Sequence, residues 1–288
     1  MIDCNLQHIK QKTLKSLYDS GLGNMLFQIA IAFALSKKYN NTYQISDIQE
    51  VNSLLKKFGG NHQDTIYRNI IIGKKKEDSI YIEEIVNLYD RNLVIKIKQS
   101  LKKNITINGY FQSYRYFNYC RDEVLKLFEM DNSSRQIIKK KYPILFTNEE
   151  TVSLHIRNKW SDKLKYSEKY FKDALNKINK PNLKLLVFSD DIPNLKNKFL
   201  KNIDKIWVEG NLDYIDLWAM SLCKNNILSH STLSWWGAYL NNNPDKIVIY
   251  SRDWINYIYK NKSPEFIKEF PHSHYPKNWI DINTKIFI

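Results

Sequence analysis

Cysteine is scarce: Cys4, Cys120 and Cys223 are the whole supply in 288 residues. An odd number without regular spacing excludes a disulfide framework and fits a reducing compartment. No CxxC pair and no HExxH occurs, so no structural or catalytic zinc site is expected. Long apolar runs are missing as well. The longest, Ile29 to Leu35, falls far short of the ~20 residues a membrane span needs. The opening MIDCNLQHIKQK lacks the apolar core of a signal peptide. The chain is therefore expected to be cytoplasmic, with any attachment to the cytoplasmic face of a membrane made through charge alone. Acidic residues are outnumbered, 30 Asp and Glu against 44 Lys and Arg, for a formal charge of +14. Such a balance suits nucleotide diphosphates, phospholipid surfaces or nucleic acid. Lysines occur along the whole length, so a Lys-rich composition explains the charge as well as a dedicated basic face does. No nucleic-acid-binding motif accompanies it, and nucleic acid is not expected as a partner.

What is present is a globular composition. The hydrophobic fraction is 43% and the aromatic fraction 14%, too high for a disordered chain. The length allows two mid-sized domains. No repeat or low-complexity linker separates them, but the halves read differently. In the first, Met25 to Tyr39 is apolar almost all round, as a buried helix is. Ile105 to Phe111 reads as a strand and Tyr114 to Phe128 as an amphipathic helix. In the second half, strands at Thr151 to Arg157, Leu183 to Phe188, Lys205 to Val208, Ile227 to Ser229 and Lys246 to Tyr250 alternate with helices. The helices are Ser167 to Lys177, with Ser167 as N-cap, then Tyr214 to Lys224 and Leu233 to Asn241. This alternation implies a parallel sheet with crossover helices. The boundary is placed between Lys141 and Glu150, where Pro143 interrupts a charged stretch, giving domains 1–145 and 146–288. His272 to Trp279 is expected to pack back on the first domain. Cys223, on an apolar helix face, is expected in the core.

Four strands end in polar turns: His155-Ile156-Arg157-Asn158, Ser189-Asp190-Asp191, Glu209-Gly210-Asn211 and His230-Ser231-Thr232. In an open parallel sheet the carboxyl ends of the strands share one edge, where ligands bind. One rim would then carry an Arg, two His, several carboxylates and a hydroxyl-rich helix start, a nucleotide-sized set of groups. Ser231, Thr232 and Ser234 begin a helix, where backbone N–H groups and hydroxyls suit a diphosphate; ordinary N-capping explains the hydroxyls equally. His155 and Arg157 alternate onto one face at a strand end. Arg157 suits a phosphate or a structural ion pair. Asp216 lies one turn into a helix, as a reader of guanine's Watson–Crick edge or as a solvated residue. Gly21-Leu22-Gly23-Asn24 could bring Gly23 and Asn24 close to a ligand, or simply make a tight turn. It lacks the third glycine of the dinucleotide fingerprint.

Several of these segments carry a family resemblance. GLGNMLFQIA resembles the GLGNQxFQ signature of the α-1,2-fucosyltransferases, with Met25 at the family's Gln. Gly109 to Ser113 with Tyr116-Phe117 looks like the family's GYFQSxxYF segment. HIRNKW is similar to its HxRRGDY motif, and Phe188 to Asp191 to its FSDD-like turn. Asp216 through Asn241 matches the family's D-x-x-x-M-S-x-C-K block and the S-T-x-S-W-W block after it nearly throughout. The resemblance implies a glycosyltransferase family 11-like enzyme of α/β GT-B fold, two Rossmann-like domains facing a cleft. It implies metal-independent, inverting transfer of L-fucose from GDP-fucose to a glycan hydroxyl, commonly the galactose 2-OH. No cofactor is implied beyond the donor substrate, and the acceptor would be an oligosaccharide or glycolipid.

Carried onto this chain, the resemblance makes Arg157 and His155 the catalytic pair, with Arg157 on the donor diphosphate. Asp190, Asp216, Ser231, Thr232, Ser234, Gly23 and Asn24 would bind the donor, Asp216 reading guanine. No metal ligand is implied. The departures lie in HIRNKW: Asn158 replaces the family's second Arg, and Lys159-Trp160 replaces Gly-Asp. Lys159 could restore the positive charge and Asp162 the carboxylate. The alternatives are a transferase using another nucleotide-activated deoxysugar, or a catalytically silent glycan- or nucleotide-binding protein. For the base that takes the acceptor proton, Asp19, Asp162 and Glu168 are candidates by position.

Overall fold

The computed structural model describes residues 2–5, 21–46, 66, 69, 79–84, 88–157 and 168–283. The expectations for Asp19, Asn158, Lys159, Trp160, Asp162 and Ser167 lie outside the described residues. The chain divides into two α/β units, Met1–Asp131 with His272–Pro276, and Asn132–Pro271 with Lys277–Ile288. The division falls at Asp131/Asn132 and not at 145/146. The reason is local: the helix Asn132–Lys141 ends in Lys141, whose Nζ donates to Gly210 O at 3.0 Å and Asn211 Oδ1 at 2.5 Å. Tyr142 O–H reaches Glu209 O at 3.4 Å, so this segment is bonded into the second unit. Of the segment expected to return to the first unit, His272–Pro276 does so. Trp279 stays with the second unit, its ring 5.5 Å from that of Trp235.

In the first unit four parallel strands run in the order β2-β1-β4-β3. They are β1 (Ile2–Asn5), β2 (Tyr43–Ser46), β3 (Ser79–Glu83) and β4 (Asn104–Asn108). The helix α1, Leu22–Lys38, joins this sheet and is buried on nearly every side. That burial explains an amphipathicity too weak to show a face. Lys37 and Lys38 in its last turn suit the negative end of the helix dipole. The expected helix from Tyr114 is broken into two 3₁₀ turns, Tyr114–Tyr116 and Asn118–Cys120, before a short α-helix Arg121–Leu127. Ser113 caps the first turn by accepting from Arg115 N–H, and Phe117 leaves helical geometry with φ −135°.

The second unit holds six parallel strands in the order β10-β9-β8-β5-β6-β7. They are β5 (Thr151–Ile156), β6 (Lys184–Ser189), β7 (Lys205–Val208), β8 (Asn225–Ile227), β9 (Val248–Ser251) and β10 (Ile280–Ile282). Counted from β5, this is the order 3-2-1-4-5-6 of a doubly wound nucleotide-binding sheet, whose direction of winding reverses between β5 and β8. β5 is buried along its whole length. Val152, Leu154 and Ile156 pack with Leu185 and Val187 of β6 and with Tyr170, Phe171, Ala174 and Ile178 of the helix Glu168–Ile178. Its other face is polar yet also buried. Asn226 donates to Ser153 Oγ at 2.7 Å, and His155 Nδ1 lies 2.5 Å from Ser229 Oγ. Cys223, as expected, is buried.

The helices Asp213–Leu222 and Thr232–Leu240 pack tightly, and Gly237 is the point of closest approach. A Cβ there would lie 2.7 Å from Met220 Cβ. Gly237→Ala gains helix propensity, worth roughly 1 kcal/mol. It also forces the two helices apart, at about 1–3 kcal/mol. The net expectation is a lowered Tm, and Met220→Ala in the double variant does not relieve it, because alanine keeps the Cβ that clashes. An unchanged or raised Tm for Gly237→Ala in thermal unfolding would contradict this packing.

Candidate functional site

Because all six strands are parallel, the turns after β5, β6, β7 and β8 lie along one edge. Strand order decides which of them meet. β5 stands between β6 and β8, so the residues following it have neighbours on both sides. Toward β6, Arg157 Nη1 lies 3.2 Å from Asp190 Oδ2. Arg157 is partly exposed and Asp190 largely covered. A guanidinium carries five N–H groups, so one contact fixes its plane without exhausting its donors. Toward β8, His155 meets Ser229. His155 is buried, and burial, with the Arg157 charge as the second cause, pushes its pKa down to about 3. The ring is therefore neutral at physiological pH, one nitrogen shared with Ser229.

The turn after β8 leads into the helix Thr232–Leu240. Ser231 is its N-cap in extended geometry, but no side chain caps it, and the first turn holds no acidic residue. The capping explanation for Ser231 and Thr232 therefore does not hold, and the helix start remains electropositive. Ser234 is different. Its hydroxyl is buried and donates to Ser231 O at 3.0 Å, so it shapes the turn from inside rather than lining an open surface. His230 stacks parallel to Trp254, in the helix Arg252–Ile258 that follows β9 at the same edge. Ser189 Oγ accepts from Asp191 N–H at 3.0 Å, folding the turn after β6.

Asp216 lies further along the edge, in the first turn of the helix Asp213–Leu222 after β7. Its Oδ1 accepts from Asn211 Nδ2 at 2.8 Å, and the same amide reaches Tyr142 Oη at 2.9 Å. Burial pushes its pKa up to about 7; the Asn211 bond opposes this, Asp213 adds to it, and Lys141 lowers it. It is a carboxyl held in place by a side-chain network, not a freely solvated one.

Gly23 and Asn24 belong to the first unit. Gly23 is buried in the first turn of α1, and Asn24 Oδ1 accepts from Gln112 Nε2 at 2.9 Å. Two sequence motifs, GLGN and GYFQS, thus meet at the start of α1. Glu168 makes a poor base: its carboxylate accepts from Leu200 N–H at 2.8 Å and pairs with Lys172, and these contacts hold its pKa down. Ser229, Tyr142 and Trp254 were not singled out in the sequence, and Asn211 was named only as part of the turn after β7. Each becomes visible only when strand order sets it beside a residue that was.

Among the described residues no three of His, Cys, Asp and Glu cluster as a metal site would require. Among them, too, no helix is long and apolar enough to cross a membrane.

Against known proteins, the family described as Glycosyl transferase family 11 matches residues 21–283. The O-antigen biosynthesis glycosyltransferase WbnK of Escherichia coli is 28% identical, over 83% of this chain and 94% of its own length. An alpha-1,2-colitosyltransferase, also of Escherichia coli, is 29% identical over 82% of this chain and 90% of its own. Among solved structures, a mutant of Arabidopsis thaliana FUT1 in complex with GDP aligns with a TM-score of 0.52 and 12% identity, covering 86% of this chain and 70% of that one. That likeness speaks to the fold, which is α/β of the GT-B-like kind.

His155 links this site to pH. Its folded pKa is depressed below the ordinary value, so the unfolded state takes up the proton first as pH falls. The stability that depends on the neutral ring is present above about pH 6.5 and is lost progressively toward pH 3, by up to about 1.4 kcal/mol per pH unit. His274, with its pKa pushed down to about 4 by burial, acts the same way in the first unit. His155→Gln should flatten part of the decline in denaturation midpoint between about pH 7 and about pH 5. A titration of the His155 imidazole by NMR near its ordinary value would contradict the assignment.

Proposed function

The chain belongs to glycosyl transferase family 11, and from that premise we propose that it is an inverting transferase moving L-fucose from GDP-fucose to a glycan hydroxyl. The galactose 2-OH is the leading acceptor position. The observation that carries this reading is the convergence at the β5–β8 switch point of Arg157, neutral His155 and an uncapped helix start at Ser231-Thr232. An inverting transfer is one displacement at the anomeric carbon. Charge grows on the departing diphosphate, and preorganised donors aimed at that charge supply much of the catalysis. Arg157, steadied by Asp190, is the fixed cation. The N–H groups of the helix start add a second set of donors. A neutral His155 can present a nitrogen to the donor without placing a second full charge beside Arg157. Asp216, steadied by Asn211, would accept from guanine N1–H and N2 with its second oxygen. These groups together suit a nucleoside diphosphate without a bridging cation, and we infer that transfer needs no divalent metal.

A second donor has a specific observation in its favour. One relative of similar identity is named a colitosyltransferase, so a colitosyl donor is the alternative to fucose. The two readings share the nucleotide site and part only at the sugar. Turnover with GDP-fucose against a β-galactoside acceptor, run beside GDP-colitose, separates them. Preference for the colitosyl donor would move the assignment, and no transfer from either would leave a nucleotide-binding protein.

Arg157→Ala is expected to lower turnover by about 10²–10³-fold with a native circular-dichroism spectrum. The fold tolerates the loss because the core face of β5 is Val152, Leu154 and Ile156. Near-parental turnover in the folded variant would remove Arg157 from the reaction. Activity should also survive EDTA; loss in EDTA that Mg²⁺ or Mn²⁺ restores would contradict metal-free transfer.

A further inference from the structure

Lys141, Asn211, Tyr142 and Asp216 form one linked group around the turn after β7. Gly210 has φ +67°, a left-handed conformation that glycine adopts without strain. At that bend Lys141 Nζ donates to Gly210 O at 3.0 Å and to Asn211 Oδ1 at 2.5 Å. Asn211 Nδ2 donates in turn to Tyr142 Oη at 2.9 Å and to Asp216 Oδ1 at 2.8 Å. Both hydrogens and the oxygen of the Asn211 amide are thereby engaged. Tyr142 is buried, and its hydroxyl donates onward to Glu209 O at 3.4 Å. A lysine only donates, so this asparagine has one orientation, carbonyl to Lys141 and NH₂ to the carboxyl.

That orientation decides what Asp216 can recognise. A carboxylate accepts at both oxygens, whereas a carboxylic acid donates at one. A base with two adjacent N–H donors, as guanine has at N1 and N2, fits the first. A base with an N–H beside an acceptor nitrogen, as adenine has at N6 and N1, fits the second. Burial pushes the Asp216 pKa up to about 7, the Asn211 bond opposes this, Asp213 adds to the rise and Lys141 lowers it. The two forms are therefore close in energy, and the neighbours decide between them. Among the described residues Asn211 supplies the one hydrogen bond to this carboxyl. Lys141, at the far end of the amide, polarises it and strengthens its N–H as a donor.

We propose that Asn211, backed by Lys141, is the positioning residue that sets nucleobase choice: it holds Asp216 as an acceptor, so the subsite takes a base with two adjacent N–H donors and discriminates against adenine. The inference rests on the reading of Asp216 as the group that meets the base, and adds what makes that group choose. Asn211 and Lys141 act through Asp216 and not on the base.

The test measures Kd for GDP and for ADP by calorimetry in the full chain. The parent should prefer GDP. Asn211→Ala is expected to weaken GDP by about tenfold or more, the scale of a hydrogen bond to a charged group, with ADP unweakened. Lys141 is exposed, so Lys141→Met should lower the GDP preference by only about threefold, and Lys141→Arg should keep it. Asn211→Asp separates selectivity from packing. It preserves the shape and the bond to Lys141, but sets two carboxyls where one proton must be shared. The preference for GDP should then fall at least as far as in Asn211→Ala. A merely structural Asn211 would make Asn211→Asp the milder change, or would weaken GDP and ADP together; either result overturns the proposal. Asp216→Asn distinguishes this from failure of the base reading. A parental preference in Asp216→Asn overturns the reading of guanine by Asp216. A collapsed preference there, beside a parental one in Asn211→Ala, overturns only the role of Asn211. One readout needs no nucleotide. In the free protein the titration midpoint of the Asp216 carboxyl, followed by ¹³C NMR, should rise in Asn211→Ala, and an unmoved midpoint overturns the proposal whichever nucleotide the parent prefers.

Discussion

The seam between β5 and β8 is the constraint on which the second unit depends. Two polar pairs, Ser153 with Asn226 and His155 with Ser229, cross it on one face, while the other face is aliphatic core. A buried polar group without a partner costs about 1–3 kcal/mol, so the two strands fit in this register and few others. Asn226 extends the lock. It also donates to Met220 O, and its Oδ1 accepts from Asn241, which in turn holds Cys223 O. Both helices that flank the seam are thereby tied to it. The ligand edge is the open end of a rigid polar zip rather than a set of independent loops, which is what preorganised charge stabilisation requires.

The first unit solves a related problem differently. Its edge is organised by a single turn, Gly109 to Ser113, which carries strained backbone and gathers the start of α1, the end of β3 and the returning segment near Ser273. The second unit uses neutral hydrogen-bonding side chains, and the first uses one costly carboxyl, the buried Glu84, whose Oε2 accepts from Phe111 N–H at 2.6 Å. Burial raises the pKa of Glu84 and of Asp216 alike. Perturbed groups of this kind concentrate where function sets the requirement.

Much of the second unit was legible in the sequence, because its strands are short apolar runs that end in polar turns, and their alternation with helices fixes a parallel sheet. Alternation alone does not give strand order, so His155 could be named while its partner Ser229 could not. The helices Arg91–Gln99, Asn132–Lys141 and Pro264–His274 were not anticipated, since lysines, asparagines or an internal Pro271 dilute their pattern. The boundary was misplaced because Pro143 looks like a break but begins a 3₁₀ turn inside the second unit. Glu84 gave no signal at all. A glutamate at a strand end reads as solvated, and only the close approach of Gly109 shows that it is buried. The identity of the family was carried by motifs, which mark the residues along both sheet edges without showing how they meet.

The central claim is that the β5–β8 switch point receives a guanine nucleotide diphosphate. Titrating GDP into protein labelled with ¹⁵N at histidine tests this directly, because His155 and His230 lie at that edge while His274 is buried in the first unit. Saturable shifts of the His155 and His230 imidazole resonances, with the ring of His155 staying neutral, are the predicted result. Saturable GDP binding that leaves both resonances unmoved would place the nucleotide elsewhere and contradict the account.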